Sequence, residues 1–215
     1  MNKLLLVTVI SIALSACAAN GSKTNADKDV VVDAVVEPVV MNYATITNEN
    51  AGSYMDIQQQ EFSSVLLAEQ AAQNIELQRM EDNSLKIDVS SEMSFDFASV
   101  TLKTTFIPTL TNISNILVRY PNTIIHVIGH TDSIGTESNN MHLSQERAAS
   151  VVNYLVSQDI PAERLVTVGR GELEPRAGND TEAGRQLNRR VEIYVKPIIQ
   201  GQESEAYETP QASKS

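Results

Sequence analysis

The spacing of apolar residues along the chain predicts three helices. The first covers residues 53–72 and the third covers residues 138–157. The second ends before Pro121, because proline disfavours helical backbone in the residue that precedes it. Its apolar positions recur every three to four residues, the period of a helix, at Leu102, Phe106, Leu110, Ile113 and Leu117.

Shorter apolar patterns predict strands between and around these helices. Residues 75–89 alternate apolar and polar side chains on both sides of a polar turn, which indicates a β-hairpin. Ile124–Ile128 and Leu165–Val168 are short apolar runs typical of buried strands. Val191–Val195 alternates again, so we expect a half-exposed last strand. The predicted fold class is α/β (α+β), a mixed β-sheet with helices packed on one face.

The N-terminus has the pattern of an export signal. Lys3 precedes an apolar core, Leu4–Leu14, that is too short to span a bilayer. Leu14-Ser15-Ala16-Cys17 resembles a bacterial lipobox, in which the cysteine becomes the lipidated first residue. The alternative is cleavage by ordinary signal peptidase after Ala18, which would discard Cys17. We favour lipidation, because Cys17 is the only cysteine and stands where that processing needs it.

These patterns divide the chain into five parts. Residues 1–16 are the predicted signal peptide, and residues 17–50 are a lipidated cysteine with a flexible, valine-rich tether. That tether is either a plain linker or a segment that adds a strand to a partner. Residues 51–72 are a helical segment, residues 73–197 the globular domain, and residues 198–215 a polar, acidic tail that we expect to be disordered.

Charge and motifs narrow the possible functions. The formal net charge of −11 opposes nucleic-acid binding, since Lys and Arg mainly hold a phosphate backbone. No serine-nucleophile elbow or phosphate-binding glycine loop is present in the sequence. His126, His130 and Asp132 are separated by even numbers of residues, so on a strand they would face the same side and could hold a metal. However, His126 lies within the predicted strand and Asp132 lies past its end. We therefore predict neither a metal site nor a catalytic one.

A binding site is the stronger interpretation of the same region. Asn140, Leu143 and Arg147 share one face of a helix, and Asp132 lies in the loop before that helix. A ligand with an ammonium and a carboxylate would satisfy both Asp132 and Arg147. The spacing alone leaves open that these two side chains simply pair with each other.

Several motifs occur at fixed spacings across residues 90–196. The central one is Gly129-His130-Thr131-Asp132, followed by Gly135 and by Asn140-x-x-Leu143-Ser144-x-x-Arg147-Ala148. Phe95-Asp96-Phe97 lies upstream, and Gly184-Arg185 and Asn188-Arg189-Arg190-Val191 lie downstream. Together these motifs resemble the OmpA-like C-terminal domain family. Gly52-x-Tyr54-Met55-Asp56 resembles the entry segment of a subgroup of outer-membrane lipoproteins with this domain.

The resemblance implies non-covalent binding of peptidoglycan, through the diaminopimelate of its stem peptide, with no cofactor. Asp132 would bind the ammonium and Arg147 the carboxylate. The other implied contacts are hydrogen bonds from Asn140 and Thr131, an apolar wall from Phe97 and Leu143, and a polar contact from Asp96. A second group is implied to be mainly structural, holding a long loop to the sheet: Arg185, Asn188, Arg189 and Arg190.

The expected function is mechanical. Acyl chains on Cys17 would hold the outer membrane of a Gram-negative bacterium, and the domain would hold peptidoglycan in the periplasm. The alternative is an envelope-sensing or regulatory module, which uses wall binding for targeting and binds a protein partner through residues 18–72.

Overall fold

The computed structural model describes residues 45–211. The predictions for the signal peptide, for Cys17 and for the tether up to residue 44 lie outside these residues. The elements in chain order are α1 (Ala51–Val65), α2 (Leu67–Ala71), β1 (Ile75–Arg79), β2 (Leu85–Ser90), α3 (Ser91–Ser94), α4 (Ile107–Arg119), β3 (Thr123–His130), α5 (Glu137–Ser157), a 3₁₀ turn (Ala162–Arg164), β4 (Leu165–Gly171), α6 (Glu182–Asn188), β5 (Arg190–Pro197) and α7 (Glu203–Tyr207).

The five strands form one mixed sheet in the order β1-β2-β5-β3-β4. The pairs β1–β2, β2–β5 and β5–β3 are antiparallel, and β3–β4 is parallel. The predicted hairpin is β1 and β2, and the predicted α+β class with a mixed sheet is confirmed. β4 lies at the edge of the sheet, so most of its residues are only half-buried, and the prediction of a buried strand there is wrong.

One face of the sheet packs against α1, α4 and α5. Val127 and Ile193 on this face are fully buried, and they share one core with Phe62 of α1, Ile113 of α4 and Leu155 of α5. Burial of each such side chain contributes about 1.5–3 kcal/mol relative to exposure. Because α1 supplies part of this core, the segment predicted at residues 51–72 is an integral part of the folded unit.

The opposite face of the sheet is also covered, so the prediction of a half-exposed last strand is wrong. Glu192 and Tyr194 of β5 are only 4% and 2% exposed. The alternating pattern predicts water above this face, but the chain between β4 and α6 covers it and Arg176 donates to Asp88 at 2.7 Å. The buried charges pair with each other instead of with water, as in the 2.8 Å contact between Lys86 Nζ and Glu192 Oε1.

The C-terminal segment adds a helix to this second face, so helices are not confined to one side. The predicted disorder from residue 198 is wrong for the described part, since Glu203–Tyr207 form α7. Ala206 is 2% exposed, and its carbonyl oxygen lies 2.8 Å from His126 Nε2. Lys196 Nζ donates to the carbonyl oxygens of Glu205 and Glu208, so β5 holds a segment whose composition alone favours disorder.

The end of the predicted tether also belongs to the folded unit. Ile46 is 1% exposed and forms a parallel bridge with Ile199. Its carbonyl oxygen accepts a hydrogen bond from Gln200 N at 2.8 Å. Within residues 45–211, none of the helices has the length and apolar character needed to cross a bilayer.

Two glycines allow α5 to lie directly on β3 and β4. A Cβ atom on Gly129 would lie 2.1 Å from the carbonyl oxygen of Ser144, and one on Gly169 would lie 2.8 Å from Ser144 Oγ. The Ser144 hydroxyl accepts a hydrogen bond from Gly171 N at 2.9 Å. This close contact fixes the position of α5 relative to the end of β3.

Gly129→Ala is expected to destabilise the protein by about 1–3 kcal/mol, because the added methyl group meets backbone that cannot yield without moving α5. The matched control is Gly52→Ala in α1, where the nearest atom to a new Cβ is 3.9 Å away. Alanine is favoured over glycine in a helix by about 0.5–1 kcal/mol, so the control should be neutral or slightly more stable. Urea unfolding measures both, and equal stabilities for the two variants would contradict this packing account.

Candidate ligand-binding cleft

The last residue of β3 and the two residues that follow it lie on different sides of the sheet. His130 lies on the second face, where it is 1% exposed and its Nε2 is 3.5 Å from Glu192 Oε2. Thr131 and Asp132 instead line a cleft. The backbone N–H of Thr131 donates to the carbonyl oxygen of Gly171 at 2.9 Å, which fixes the chain as it leaves the strand.

The cleft has a volume of about 760 Å³ and is bounded by the chain around residues 95–98, the end of β3, and α5. The structure brings all of the predicted ligand-binding residues to it: Asp96, Phe97, Thr131, Asp132, Asn140, Leu143 and Arg147. Their roles toward a ligand stay a prediction.

Asp132 is held in place by two hydrogen bonds from the protein. Its Oδ1 accepts from the backbone N–H of Ile134 at 3.0 Å, and its Oδ2 accepts from Arg189 Nη1 at 2.8 Å. Each carboxylate oxygen can accept more than one hydrogen bond, so Asp132 retains capacity toward the cleft. The alternative in which Asp132 pairs with Arg147 is not what the structure shows, because the ion pair of Asp132 is with Arg189.

Arg147 is a buried cation with unused donors. It is 5% exposed, its Nε donates to the carbonyl oxygen of Ser99 at 3.0 Å, and its guanidinium lies 5.2 Å from the centre of the Phe95 ring. Burial lowers the pKa of Arg147, the nearby charge of Arg189 lowers it further, and Asp132 raises it. Within the described residues, neither Nη atom of Arg147 makes a hydrogen bond or an ion pair, so the two-pronged end of the guanidinium is available to a ligand.

Three predicted residues line the inner part of the cleft. Asn140 Nδ2 donates to the carbonyl oxygen of Asp132 at 3.2 Å and also to Glu172, so Asn140 ties the loop to α5. The Thr131 hydroxyl is buried and has no hydrogen-bond partner among residues 45–211. Leu143 is half-buried and supplies apolar surface.

Phe97 and Asp96 form the outer rim. Phe97 is 98% exposed, which is unusual for an aromatic side chain and leaves its ring available to cover a ligand. A tight turn presents it, with Ser99 N donating to the carbonyl oxygen of Asp96 at 3.0 Å and Ala98 at φ +54°. The Asp96 carboxylate is 3.4 Å from Lys103 Nζ, so its charge is partly balanced in the free protein.

Two further residues line the cleft, although the sequence motifs did not assign them to it. The Phe95 ring packs against the Arg147 guanidinium. The feature of the sequence that could have indicated this role is the repeat of phenylalanine two residues apart, at Phe95 and Phe97. Arg189 was predicted to be structural, yet it lines the cleft and holds Asp132, while Glu92 and Glu182 hold Arg189 at 3.1 and 2.7 Å. Hydrogen bonds to these three carboxylates raise the pKa of Arg189 despite the opposing effect of burial.

The other residues of the predicted structural group contact the chain between β4 and α6. Asn188 Oδ1 accepts from the backbone N–H groups of Arg176 and Ala177, at 2.8 and 3.0 Å. Arg185 Nη1 donates to the carbonyl oxygen of Asn179, and Arg190 Nη2 donates to that of Glu174. These bonds hold the long loop against the sheet.

The residues of the alternative metal hypothesis do not converge. His126 and His130 lie on the second face of the sheet, whereas Asp132 lies in the cleft. Burial lowers the pKa of both imidazoles, so each is favoured in its neutral form. Within the described residues, no group of three His, Cys, Asp or Glu side chains is arranged to hold a metal ion.

Comparison with known proteins agrees with this architecture. The model of the OmpA family matches residues 94–189. The probable lipoprotein YiaD of Escherichia coli (strain K12) is 39% identical over 147 residues, which cover 68% of this chain and 65% of that protein. The peptidoglycan-binding protein ArfA of Mycobacterium tuberculosis is 40% identical over 86 residues, which cover 40% of this chain and 26% of that protein.

A solved structure described as the cell wall anchor of the T6SS from Pseudomonas aeruginosa is 30% identical, with a TM-score of 0.57. The match covers 63% of this chain and 96% of that one. The chain therefore contains an OmpA family domain, at residues 94–189. It spans only 65% and 26% of the length of these two curated relatives.

Proposed function

We propose that this protein binds peptidoglycan non-covalently through the diaminopimelate of the stem peptide, and that a lipidated Cys17 tethers it to the outer membrane. It joins two layers of the envelope and catalyses no reaction. The observation that carries the proposal is the open cleft in which Arg147 offers unused donors and Asp132 offers unused acceptors.

The side chain of diaminopimelate ends in a carbon that bears both an ammonium and a carboxylate. The Arg147 guanidinium binds the carboxylate through two parallel hydrogen bonds, and Asp132 accepts from the ammonium. Arg147 is already buried and positioned by Ser99 and Phe95, so binding orders few additional groups.

The charges around the cleft suit a ligand end with no net charge. Cationic and anionic side chains line it in nearly equal number. The cations are Lys103, Arg147 and Arg189, and the anions are Glu92, Asp96, Asp132 and Glu182. A purely anionic or purely cationic ligand would meet repulsion from one of the two sets. The names of relatives support the same proposal, since one is a peptidoglycan-binding protein and another is a cell wall anchor.

Co-sedimentation with purified cell walls tests the binding proposal. We expect the full chain to pellet with peptidoglycan that contains diaminopimelate and to stay in the supernatant with peptidoglycan that contains lysine at the same position. Lysine keeps the ammonium but lacks the second carboxylate, so Arg147 has no partner. Equal pelleting with the two wall types would contradict the proposed role of the cleft.

Cys17→Ala tests the membrane anchor. In a Gram-negative host we expect the wild-type chain in the outer-membrane fraction and the variant in the soluble periplasmic fraction. The reason is that each buried CH₂ of an acyl chain contributes about 0.8 kcal/mol to membrane binding. Mass spectrometry of the wild type should show the added acyl mass. An unchanged distribution of the variant would remove the support for lipidation.

A further inference from the structure

A second groove adjoins the ligand-binding cleft. It has a volume of about 650 Å³ and lies between the end of α2, the strands β1 and β2, and α6. Glu92 and Arg189 line both cavities. Arg189 donates to Asp132 from Nη1 and to Glu92 from Nη2, so the wall between the groove and the cleft is one ion-paired side chain.

The groove is rich in side-chain amides: Gln70, Gln73, Asn74 and Gln186 line it. Gln186 Nε2 donates to Glu92 Oε2 at 2.6 Å. Within residues 45–211, the side chains of Gln70, Gln73 and Asn74 make no hydrogen bonds, and Gln70 Nε2 is a buried donor without a partner. A primary amide both donates and accepts, so this lining matches the N–H and C=O groups of a peptide.

Most of the charged side chains that line the groove form ion pairs with each other. Arg176 donates to Glu76 and to Asp88, each at 2.7 Å. Ile75, Ala183 and Leu187 add apolar surface, and Leu187 is 56% exposed. None of the described residues that line the groove is aromatic, so it offers no flat ring on which a sugar would stack.

We propose that this groove is a second subsite, which binds the peptide backbone of the stem peptide next to the diaminopimelate held in the cleft. The inference rests on the proposed function, because a diaminopimelate fixed by Asp132 and Arg147 places its neighbours at the shared wall formed by Glu92 and Arg189. Side-chain amides in the groove then bind peptide groups that free diaminopimelate lacks.

The test compares two ligands on the full chain by calorimetric titration: free meso-diaminopimelate and the tripeptide L-Ala-γ-D-Glu-diaminopimelate. The double variant Gln70→Ala/Asn74→Ala removes two groove amides. We expect it to weaken tripeptide binding by about tenfold, the sum expected for two hydrogen bonds, and to leave the affinity for free diaminopimelate unchanged.

Ala183→Trp, which fills the groove with a ring, should have the same selective effect. Gln60→Ala, which removes an exposed amide of α1 outside the groove, is the control and should change neither affinity.

The outcomes separate this inference from the proposed function. Tripeptide affinity equal to wild type in both groove variants would overturn the second subsite while leaving the cleft assignment intact. Loss of affinity only for a disaccharide-linked tripeptide, and not for the tripeptide itself, would also overturn it, since a sugar would then occupy the groove. Failure of the wild type to bind either ligand would overturn the proposed function and this inference together.

Discussion

Arg147→Ala is expected to abolish co-sedimentation with peptidoglycan while the domain remains folded. Within the described residues, both Nη atoms of Arg147 are without a partner, whereas those of Arg189 pair with carboxylates. The buried Arg147 guanidinium can therefore bind the ligand carboxylate through two parallel hydrogen bonds. Truncation of one partner in such a buried charge pair costs about 2–5 kcal/mol, which corresponds to at least about a thirtyfold weaker affinity. Far-UV circular dichroism and thermal unfolding should confirm that the variant is folded.

Three further variants make this test specific. Arg147→Lys keeps the charge but loses the planar fork, so we expect binding between that of the wild type and that of the alanine variant. Asp132→Asn keeps the shape and removes the charge that binds the ammonium, so it should weaken binding as strongly as Arg147→Ala. Arg119→Ala removes a surface arginine that pairs with Glu61 and should bind normally. Wild-type binding by both Arg147→Ala and Asp132→Asn would leave the cleft without a function.

Glu192→Gln is expected to lower the free energy of unfolding by about 3–5 kcal/mol, the largest stability effect that we predict. Glu192 is 4% exposed and pairs with Lys86 Nζ and Arg190 Nε, both at 2.8 Å. Loss of its charge leaves two buried cations without their principal partner. Glu146→Gln is the control, because among residues 45–211 that exposed side chain has its ion pair with His142 alone and should change stability by less than about 1 kcal/mol.

The same variant should change how stability depends on pH. Burial raises the pKa of Glu192, but His130, Arg190 and Lys86 together lower it by more, so the folded-state pKa lies well below its usual range. A carboxyl with a depressed pKa stabilises the fold above its unfolded pKa of about 4.3, and this contribution is lost as the pH falls toward the folded-state pKa. Chemical unfolding should therefore show the wild type losing stability more steeply than Glu192→Gln below about pH 5. Parallel pH profiles would show that Glu192 does not provide this stabilisation.

Periodicity in the sequence predicted the helices and the hairpin because their apolar residues repeat on one face. The predicted start of the second helix is wrong, since α4 begins at Ile107 and Leu102 instead forms an antiparallel bridge with Phe95. The prediction from periodicity was wrong at β5, because an alternating pattern predicts a strand with one apolar face and one face in contact with water. Glu192 and Tyr194 are polar and buried, and their partners, such as Lys86, come from another strand. Likewise, the composition of the C-terminal segment gave no sign that Ala206 would dock against His126.

The positions of the cleft residues were easier to predict from the sequence than the contacts on the second face of the sheet. Asn140, Leu143 and Arg147 share a helix face by spacing alone, and glycine packing places that face beside Asp132. The position of Arg189 was not predictable in this way. Its contact with Asp132 spans 57 residues and depends on how the long loop and α6 return to the sheet, which no local pattern specifies.

The central claim is that one cleft recognises an ammonium and a carboxylate on the same carbon, and calorimetric titration of the full chain tests it most directly. Three ligands are compared: meso-diaminopimelate, pimelate, which has only the carboxylates, and 1,5-diaminopentane, which has only the ammonium groups. We predict saturable binding of diaminopimelate with one molecule per chain, and no measurable binding of the other two at the same concentrations. Equal binding of pimelate, or no binding of diaminopimelate, would contradict the account.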